Sequence, residues 1–181
     1  MRGSEIAKRY SRAFFAIATE ESKYEEYYNE LKSFSSVLEQ NANLKDFLNN
    51  PMFAQSDKVA VVTDVLKKID VSPITENFVK LLVDKRRIDV LQEIENYYQY
   101  YMDEVLNTVR IEVKSAYKLS DELSEKIKAR MEEITGKKVE MEIERDASLL
   151  GGVVVKVGDT LYDGSVKTQL NNIRELLREE M

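Results

Sequence analysis

The sequence predicts an α+β protein, with an N-terminal bundle of six helices followed by a small C-terminal α/β domain of order β-α-β-β-α. The first observation is a helical repeat of apolar residues, every three to four positions, that runs from residue 4 to about residue 106. The second is a change to a period of two at Thr108, where Val109, Ile111 and Val113 alternate with charged residues. We therefore place a domain boundary near Asn107, which gives domains 1–106 and 107–181.

Composition narrows the possible functions. The chain has 181 residues, 33% charged residues and a net charge of −6, with both signs interleaved, so no basic surface for nucleic acid is indicated. It has no Cys and no His, which excludes disulfides, thiolate or imidazole metal sites and Ser-His-Asp catalysis. No apolar run approaches the roughly 20 residues that span a bilayer, and the start lacks a signal-peptide core, so we expect no direct membrane insertion.

The first helix, residues 4–20, carries more apolar surface than one core contact needs. Two neighbouring rows together cover roughly 200° of arc, against a stripe of about 100° for a single contact. Such a helix is either enclosed by its own domain or shares one row with a partner, and periodicity alone slightly favours enclosure. The first row is Ile6, Tyr10, Ala13 and Ile17, and the second is Ala7, Phe14, Phe15 and Ala18.

The next helices are ordinary amphipathic segments. Residues 22–40 form a second helix, and a short third helix ends before Pro51. Ser56 or Asp57 is expected to cap the fourth helix. Ser72-Pro73 starts the fifth, in which Ile74, Phe78, Leu81 and Leu82 share one face and Val79 and Val83 another, so a double row recurs. A sixth helix covers about residues 88–106, with Val105 among its inward positions.

The second domain alternates strands and helices. After the first strand, Ser120 begins a helix that ends at Gly136, with Leu123, Ile127, Met131 and Ile134 predicted to face inward. A second strand contains Val139, Met141 and Ile143. The last helix starts at Val166, and its inward positions are predicted to be Leu170, Ile173, Leu176 and Leu177.

The segment from Asp146 to Ser165 joins these elements and holds four of the chain's six glycines. Glycines on both sides of a valine strand indicate turns or close backbone approach. Asp163-Gly164-Ser165 is typical of a turn followed by a helix N-cap. The proposed structural positions are Gly151, Gly152, Gly158, Asp163, Gly164 and Ser165, with a short Leu161-Tyr162 strand between them.

No residue pattern indicates catalysis. The glycine spacing matches neither dinucleotide-binding nor P-loop motifs, because a strand occupies the interval. Asp146, Asp159 and Asp163 could form a metal or acid/base set, but Asp beside Gly is more often turn chemistry. Lys156 could be a desolvated amine, although an outward lysine on an alternating strand is commoner. We predict no catalytic residue, no metal site and no cofactor.

Three stretches together resemble the F-type ATP synthase delta subunit, the family that includes the mitochondrial oligomycin-sensitivity-conferring protein. The opening residues 6–14, IAKRYSRAF, resemble the A-x-x-Y-A-x-A-[LF] start of that family. Asn77 to Leu91 resembles its N-x-x-x-x-[LM]…R-[LI]…L segment, and Asp146 to Leu177 its C-terminal glycine signature. The chain departs at Ser11, where alanine is usual, at Arg86, often glycine, and at Gln92, often proline.

The resemblance implies a non-catalytic stator subunit that links the catalytic head to the membrane sector and resists rotor torque. It implies that the N-terminal domain binds the N-terminal helix of an alpha subunit between the first and fifth helices. By the same resemblance the C-terminal domain binds the C-terminus of stalk subunit b, at the cytoplasmic face of the bacterial plasma membrane. Tyr10, Ala13 and Leu81 are carried over as groove residues, and Ile6 and Ile17 are added because they share the Tyr10 row.

Two alternatives remain at this point. The five groove residues could instead be ordinary core, although the bulk of Phe14, Phe15, Phe78 and Leu82 makes those four better core candidates. The alternative function is a small α+β enzyme or nucleotide-binding protein that uses carboxylates of the second domain.

Overall fold

The structure, a computed structural model, describes residues 2–158 and 160–179, with side-chain exposure described for 5–158 and 160–174. The chain is mostly helical with a small mixed sheet, and it divides into two compact units, Met1–Met102 and Asp103–Met181. The elements of the first unit are α1 (Arg2–Glu21), α2 (Tyr24–Gln40), α3 (Ala42–Asn49), α4 (Gln55–Lys68), α5 (Pro73–Asp84), a 3-10 turn (Ile88–Val90) and α6 (Leu91–Val105), whose last residues belong to the second unit.

Aromatic side chains form the core of the first unit. Phe14, Phe34 and Tyr98 are fully buried. The ring of Phe14 lies 5.5 Å from that of Tyr98 and 5.8 Å from that of Tyr27, measured between centroids. The Tyr98 hydroxyl donates to the carbonyl oxygen of Tyr24 at 3.1 Å, so the one polar atom of this buried ring is satisfied. Residues from α1, α2 and α6 thus share one core.

The start of α5 is held by a carboxylate from α2. As predicted, Ser72 is the N-cap, with its Oγ accepting from Thr75 N, and Pro73 occupies the first helical position. Glu30 of α2 accepts hydrogen bonds from Ser72 N and Ser72 Oγ, both at 2.7 Å, and from the Thr75 hydroxyl. Since hydrogen bonds to a charged acceptor are the strong ones, this contact fixes where α5 begins relative to α2.

The second unit contains a four-stranded sheet among its described residues, in the order β2-β1-β3-β4. Strands β1 and β2 are parallel and are joined through α7, while β1–β3 and β3–β4 are antiparallel. The elements are β1 (Thr108–Ser115), α7 (Asp121–Thr135), β2 (Lys138–Arg145), a 3-10 turn (Ala147–Leu149), β3 (Val153–Val157), β4 (Thr160–Asp163) and α8 (Val166–Glu179).

Charged pairs and a small apolar cluster hold this sheet in register. Arg110 lies opposite Glu140 and Lys114 opposite Glu144 across β1 and β2, and each pair forms a salt bridge. Such cross-strand pairs favour one register over its neighbours. The buried cluster consists of Ile111, Val113, Met131, Val139 and Val155.

Several sequence-based expectations are wrong in detail. The short strand predicted at Leu161-Tyr162 is present as Thr160–Asp163 and pairs with β3, so only the summary order β-α-β-β-α, which leaves this strand out, is incomplete. The fourth helix begins at Gln55 after Ala54, without a side-chain cap, so neither Ser56 nor Asp57 caps it. Positions predicted to face inward are more than 40% exposed on the last turn of α6, on both ends of α7 and on α8, where few elements cover the small sheet: Val105, Leu123, Ile134, Leu170 and Ile173.

Candidate functional site

The first apolar row of α1 is not enclosed by its own unit. Ile6 and Tyr10 are half-buried, whereas Ala13 and Ile17 are exposed, Ile17 to 40%. The second row behaves differently, since its residues Ala7, Phe14 and Ala18 are fully buried and Phe15 is half-buried. The surplus apolar arc predicted from the sequence is therefore divided between a core face and an open face.

Helix α5 lies antiparallel beside α1. Phe14 of α1 stacks on Phe78 of α5, with ring centroids 4.1 Å apart. One turn earlier in α1, Tyr10 adds to the raised pKa of Lys85, which follows α5, after the larger effects of the hydrogen bond and charge of Asp84. Leu81 lies between these two points along α5 and is 43% exposed. Leu81 is thus an exposed apolar residue on the helix that packs against α1 through Phe78.

The solvent-facing side of α1 carries three cations, of which Arg9 lies nearest to the open row. Lys8, Arg9 and Arg12 are exposed, and none forms an ion pair within the described residues. The guanidinium of Arg9 lies 5.6 Å from the centre of the Tyr10 ring. Ala13 and these cations line a broad surface depression that also includes Ala16 and Glu5. Ala13 is the residue of the open row that lines this positively charged depression, whereas Ile6, Tyr10, Ile17 and Leu81 are not in its described lining.

The glycine segment of the second unit shows close backbone approach. Gly152 has φ +80°, and a Cβ built there would lie 2.3 Å from the carbonyl oxygen of Gly164. At Gly151 a Cβ would lie 3.1 Å from Val166, whose backbone N–H donates to Gly151 O at 3.0 Å. Gly164 N also donates to the carbonyl oxygen of Val153 at 3.0 Å. These contacts fix the start of α8 against the beginning of β3.

Asp163 and Ser165 form the cap of α8. Ser165 is 1% exposed, and its Oγ accepts from Thr168 N at 3.2 Å, as the sequence predicted for an N-cap. Asp163 accepts from Ser165 N at 2.8 Å and from the Thr168 hydroxyl at 2.7 Å. The hydrogen bond from the Ser165 backbone, helped by those from the Thr168 and Ser165 side chains, lowers the pKa of the Asp163 carboxyl below its usual value. Asp163 and Ser165 thus stabilise the turn and the start of α8, and both carboxylate oxygens of Asp163 accept hydrogen bonds.

Helix α8 presents an apolar row that the sequence analysis assigned to the core. Val166, Leu170 and Ile173 recur at helical spacing and are 40–54% exposed. Amphipathic periodicity identifies such a row but does not say whether the chain itself or a partner covers it. Leu176 and Leu177 lie outside the described side chains.

The alternative of carboxylate chemistry has little geometric support. Within the described residues no group of three metal-ligating side chains comes together. Asp159 lies outside the described residues. Lys156 is exposed and pairs with Glu112 at 3.4 Å, so it is an outward lysine on an alternating strand.

A comparison with protein families matches residues 6–177 to the model described as "ATP synthase delta (OSCP) subunit". The chain belongs to this family. A relative in Syntrophus aciditrophicus, named ATP synthase subunit delta, is 55% identical over 99% of both chains. One of the same name in Syntrophobacter fumaroxidans is 39% identical over 98% of this chain and 97% of its own length.

A solved structure shares the fold of this delta subunit family member. It is a chain in the cryo-EM structure of the Toxoplasma gondii mitochondrial ATP synthase hexamer, with a TM-score of 0.70 and 22% identity, covering 94% of this chain and 96% of that one. Family membership makes the chain a non-catalytic peripheral-stalk subunit of ATP synthase, and the small-enzyme alternative is not favoured. None of the described helices combines the length and apolarity needed to cross a membrane.

Proposed function

We propose that the N-terminal domain, residues 1–106, binds the N-terminal helix of an ATP synthase alpha subunit along α1 and α5. The single observation that carries this is the open apolar row of α1 beside the exposed Leu81. An amphipathic helix places apolar side chains every three to four residues, which fits a strip built from Ile6, Tyr10, Ala13 and Ile17.

The cations on the solvent-facing side of α1 further define the bound helix. Lys8, Arg9 and Arg12 have no anionic partner within the described residues. A bound helix with Asp or Glu beside its apolar face would supply one, and opposite charges at the rim of an interface speed association and fix orientation. We therefore expect binding that weakens moderately with salt but is not abolished by it, because the apolar contact remains.

In this proposal the C-terminal domain, residues 107–181, binds the C-terminus of stalk subunit b. Its support is the exposed row of Val166, Leu170 and Ile173, which begins at a rigidly capped helix start. The six helices of the first unit and the sheet of the second then act as two clamps, one for the head and one for the stalk. Such clamps need buried area and no nucleophile, and together they oppose the torque of the rotor. The site of action is the cytoplasmic face of the bacterial plasma membrane, as a peripheral part of the complex.

Calorimetric titration of the full chain with a synthetic peptide of the cognate alpha N-terminus tests the first clamp. We expect saturable binding in a 1:1 ratio, with a gain of helical circular dichroism as the peptide orders. A peptide of the same composition in scrambled order, which loses the apolar face, is the matched control. Equal affinity for both peptides, or no binding by the folded chain, would contradict the proposal.

A further inference from the structure

A cavity in the first unit shares no lining residue with the open row of α1. It has a volume of about 290 Å³ and is formed where the α3–α4 connection meets the end of α5 and the following 3-10 turn. Its wall includes Asn49, Pro51, Lys58, Arg86 and Asp89. Two cations and one carboxylate therefore line the same cavity.

Lys58 is the unusual member of this wall, because its charge is almost fully buried. The residue is 3% exposed, and its Nζ donates to the carbonyl oxygen of Leu48 at 2.7 Å. An ammonium has three N–H donors, so one protein acceptor leaves it incompletely satisfied. Lys58 forms no ion pair within the part of the chain that the structure describes. A buried charge without a counter-ion is expensive, which makes an external anion favourable here.

The end of α3 accounts for part of this arrangement. Leu48 O is one of the last carbonyls of that helix, and a helix C-terminus carries a partial negative charge of about one half. That is less than the charge of Lys58, and Arg86 adds a second cation that also lacks an ion pair within the described residues. Asp89 is the opposing carboxylate in the wall, and the balance remains positive.

Arg86 occupies a conformation that favours glycine. Its φ is +55°, directly after α5, where Arg87 N donates back to Leu82 O at 2.8 Å in a Schellman-type ending. A side chain at such a position costs about 1 kcal/mol relative to glycine. Glycine would stabilise the helix end better, so the arginine is better explained by its charge at the cavity than by the turn.

We propose that this cavity binds a small tetrahedral oxyanion, inorganic phosphate or the phosphate group of a phosphate monoester, between Lys58 and Arg86. The buried ammonium supplies a fixed charge-assisted hydrogen bond, and the guanidinium closes the outer side with a planar fork of donors. This site shares no lining residue with the proposed alpha-subunit groove, so the two sites can be tested separately.

Phosphate titration at constant ionic strength tests the site by calorimetry and by ³¹P NMR line width. Parallel titrations use sulfate, a tetrahedral dianion, and glycerol phosphate, a monoester, with sodium chloride as the ionic-strength control. We expect saturable binding of phosphate by the native chain. Tighter binding of glycerol phosphate would identify an ester as the preferred ligand. Weaker binding of glycerol phosphate would identify the free ion.

Three variants decide the assignment. Arg86→Gly relieves the backbone strain, so it is expected to unfold at the same or a higher temperature than the native chain while its phosphate affinity falls about tenfold or more. Lys58→Met removes the buried charge at similar length and is expected to abolish binding. Lys68→Met changes an exposed lysine of the same helix outside the cavity and is expected to bind as the native chain does.

The proposal is overturned if the native chain shows no saturable phosphate binding, or if Arg86→Gly binds phosphate as tightly as the native chain. Equal losses in Lys58→Met and Lys68→Met would also contradict it, because they would indicate a general charge effect. If Lys58→Met fails to fold, Arg86→Gly alone decides the outcome.

Discussion

Phe14 and Phe78 stack with an interplanar angle of 12°, and this contact joins α1 to α5 beneath the open apolar strip. Both residues are buried, whereas Leu81, one turn further along α5, is 43% exposed. Core and surface are thus separated within a single turn. The separation allows stability and partner binding to be changed independently.

Phe14→Ala is expected to lower mainly stability, and Leu81→Ala mainly the affinity for the alpha peptide. Removing the fully buried ring of Phe14 leaves a cavity and should lower the free energy of unfolding by about 3–5 kcal/mol. Leu81→Ala removes a side chain that is nearly half in water, so the loss should stay below about 1 kcal/mol, while affinity for the alpha peptide falls. Urea unfolding and calorimetry on the same samples measure both quantities. A large stability loss in Leu81→Ala would place that residue in the core.

Two glycines with positive φ give a matched pair in the second unit. At Gly158, with φ +56°, a Cβ would meet nothing within 4 Å, so Gly158→Ala should cost only the conformational strain of about 1–2 kcal/mol. Gly152→Ala adds a collision with the backbone of Gly164 and should cost roughly 2–5 kcal/mol in total. Chemical denaturation followed through amide NMR signals of β3 compares the two. Equal costs would show that close approach at Gly152 is not the reason for the glycine.

The lowered pKa of Asp163 predicts that the free energy of unfolding of the second unit falls in acid. Its pKa is lowered in the folded chain, mainly by the hydrogen bond from Ser165 N, from an ordinary value of 3.8. The stabilisation is therefore present above about pH 3.8 and is lost as the pH falls through the lower folded pKa. Asp163→Asn should narrow the difference in unfolding free energy between pH 6 and pH 3. Hydrogen exchange of α8 and β3 amides at both pH values measures this difference. An unchanged pH dependence in the variant would show that Asp163 does not cause the loss of stability in acid.

Much of the fold was predictable because local signals decide it. The helix caps at Ser72, Ser120 and Ser165 use side chains whose chemistry is visible in the sequence, and Gly136 ends α7 with φ +67° as expected. The strand Thr160–Asp163 was only partly visible, since four residues give almost no periodicity and its pairing with β3 is a tertiary contact.

The candidate site was predictable in part, because periodicity locates apolar rows but does not show what covers them. The double apolar row of α1 could be found from periodicity, but its division into a buried and an open face depends on which neighbours are present. On α8 the same reasoning assigned Leu170 and Ile173 to the core, where the structure exposes them. Lys58 was missed entirely, because no local pattern distinguishes a buried lysine from the exposed lysines of the same helix.

The exposed row of α8 predicts a site for the stalk. Leu170→Asp should weaken binding of a subunit b C-terminal peptide about tenfold or more, since it places a charge in an apolar contact, with little change in stability. Asn171→Asp introduces the same side chain at the next position, which is also exposed and lies off the apolar row, and should bind nearly as the native chain does. Calorimetric titration with the peptide compares the affinities of the two variants. Equal weakening in both variants would indicate charge repulsion without an apolar site on α8.

The most direct test compares Ala13→Asp with Ala60→Asp, which makes the same change at an exposed alanine within α4. Both should lose no more than about 0.7 kcal/mol of stability from helix propensity. Only Ala13→Asp should weaken binding of the alpha-subunit peptide, by about tenfold or more, because it alone places a carboxylate in the apolar strip. Loss of stability in Ala13→Asp as large as its loss of binding energy, or equal peptide affinity in the two variants, would contradict the claim that α1 holds a helix of the catalytic head.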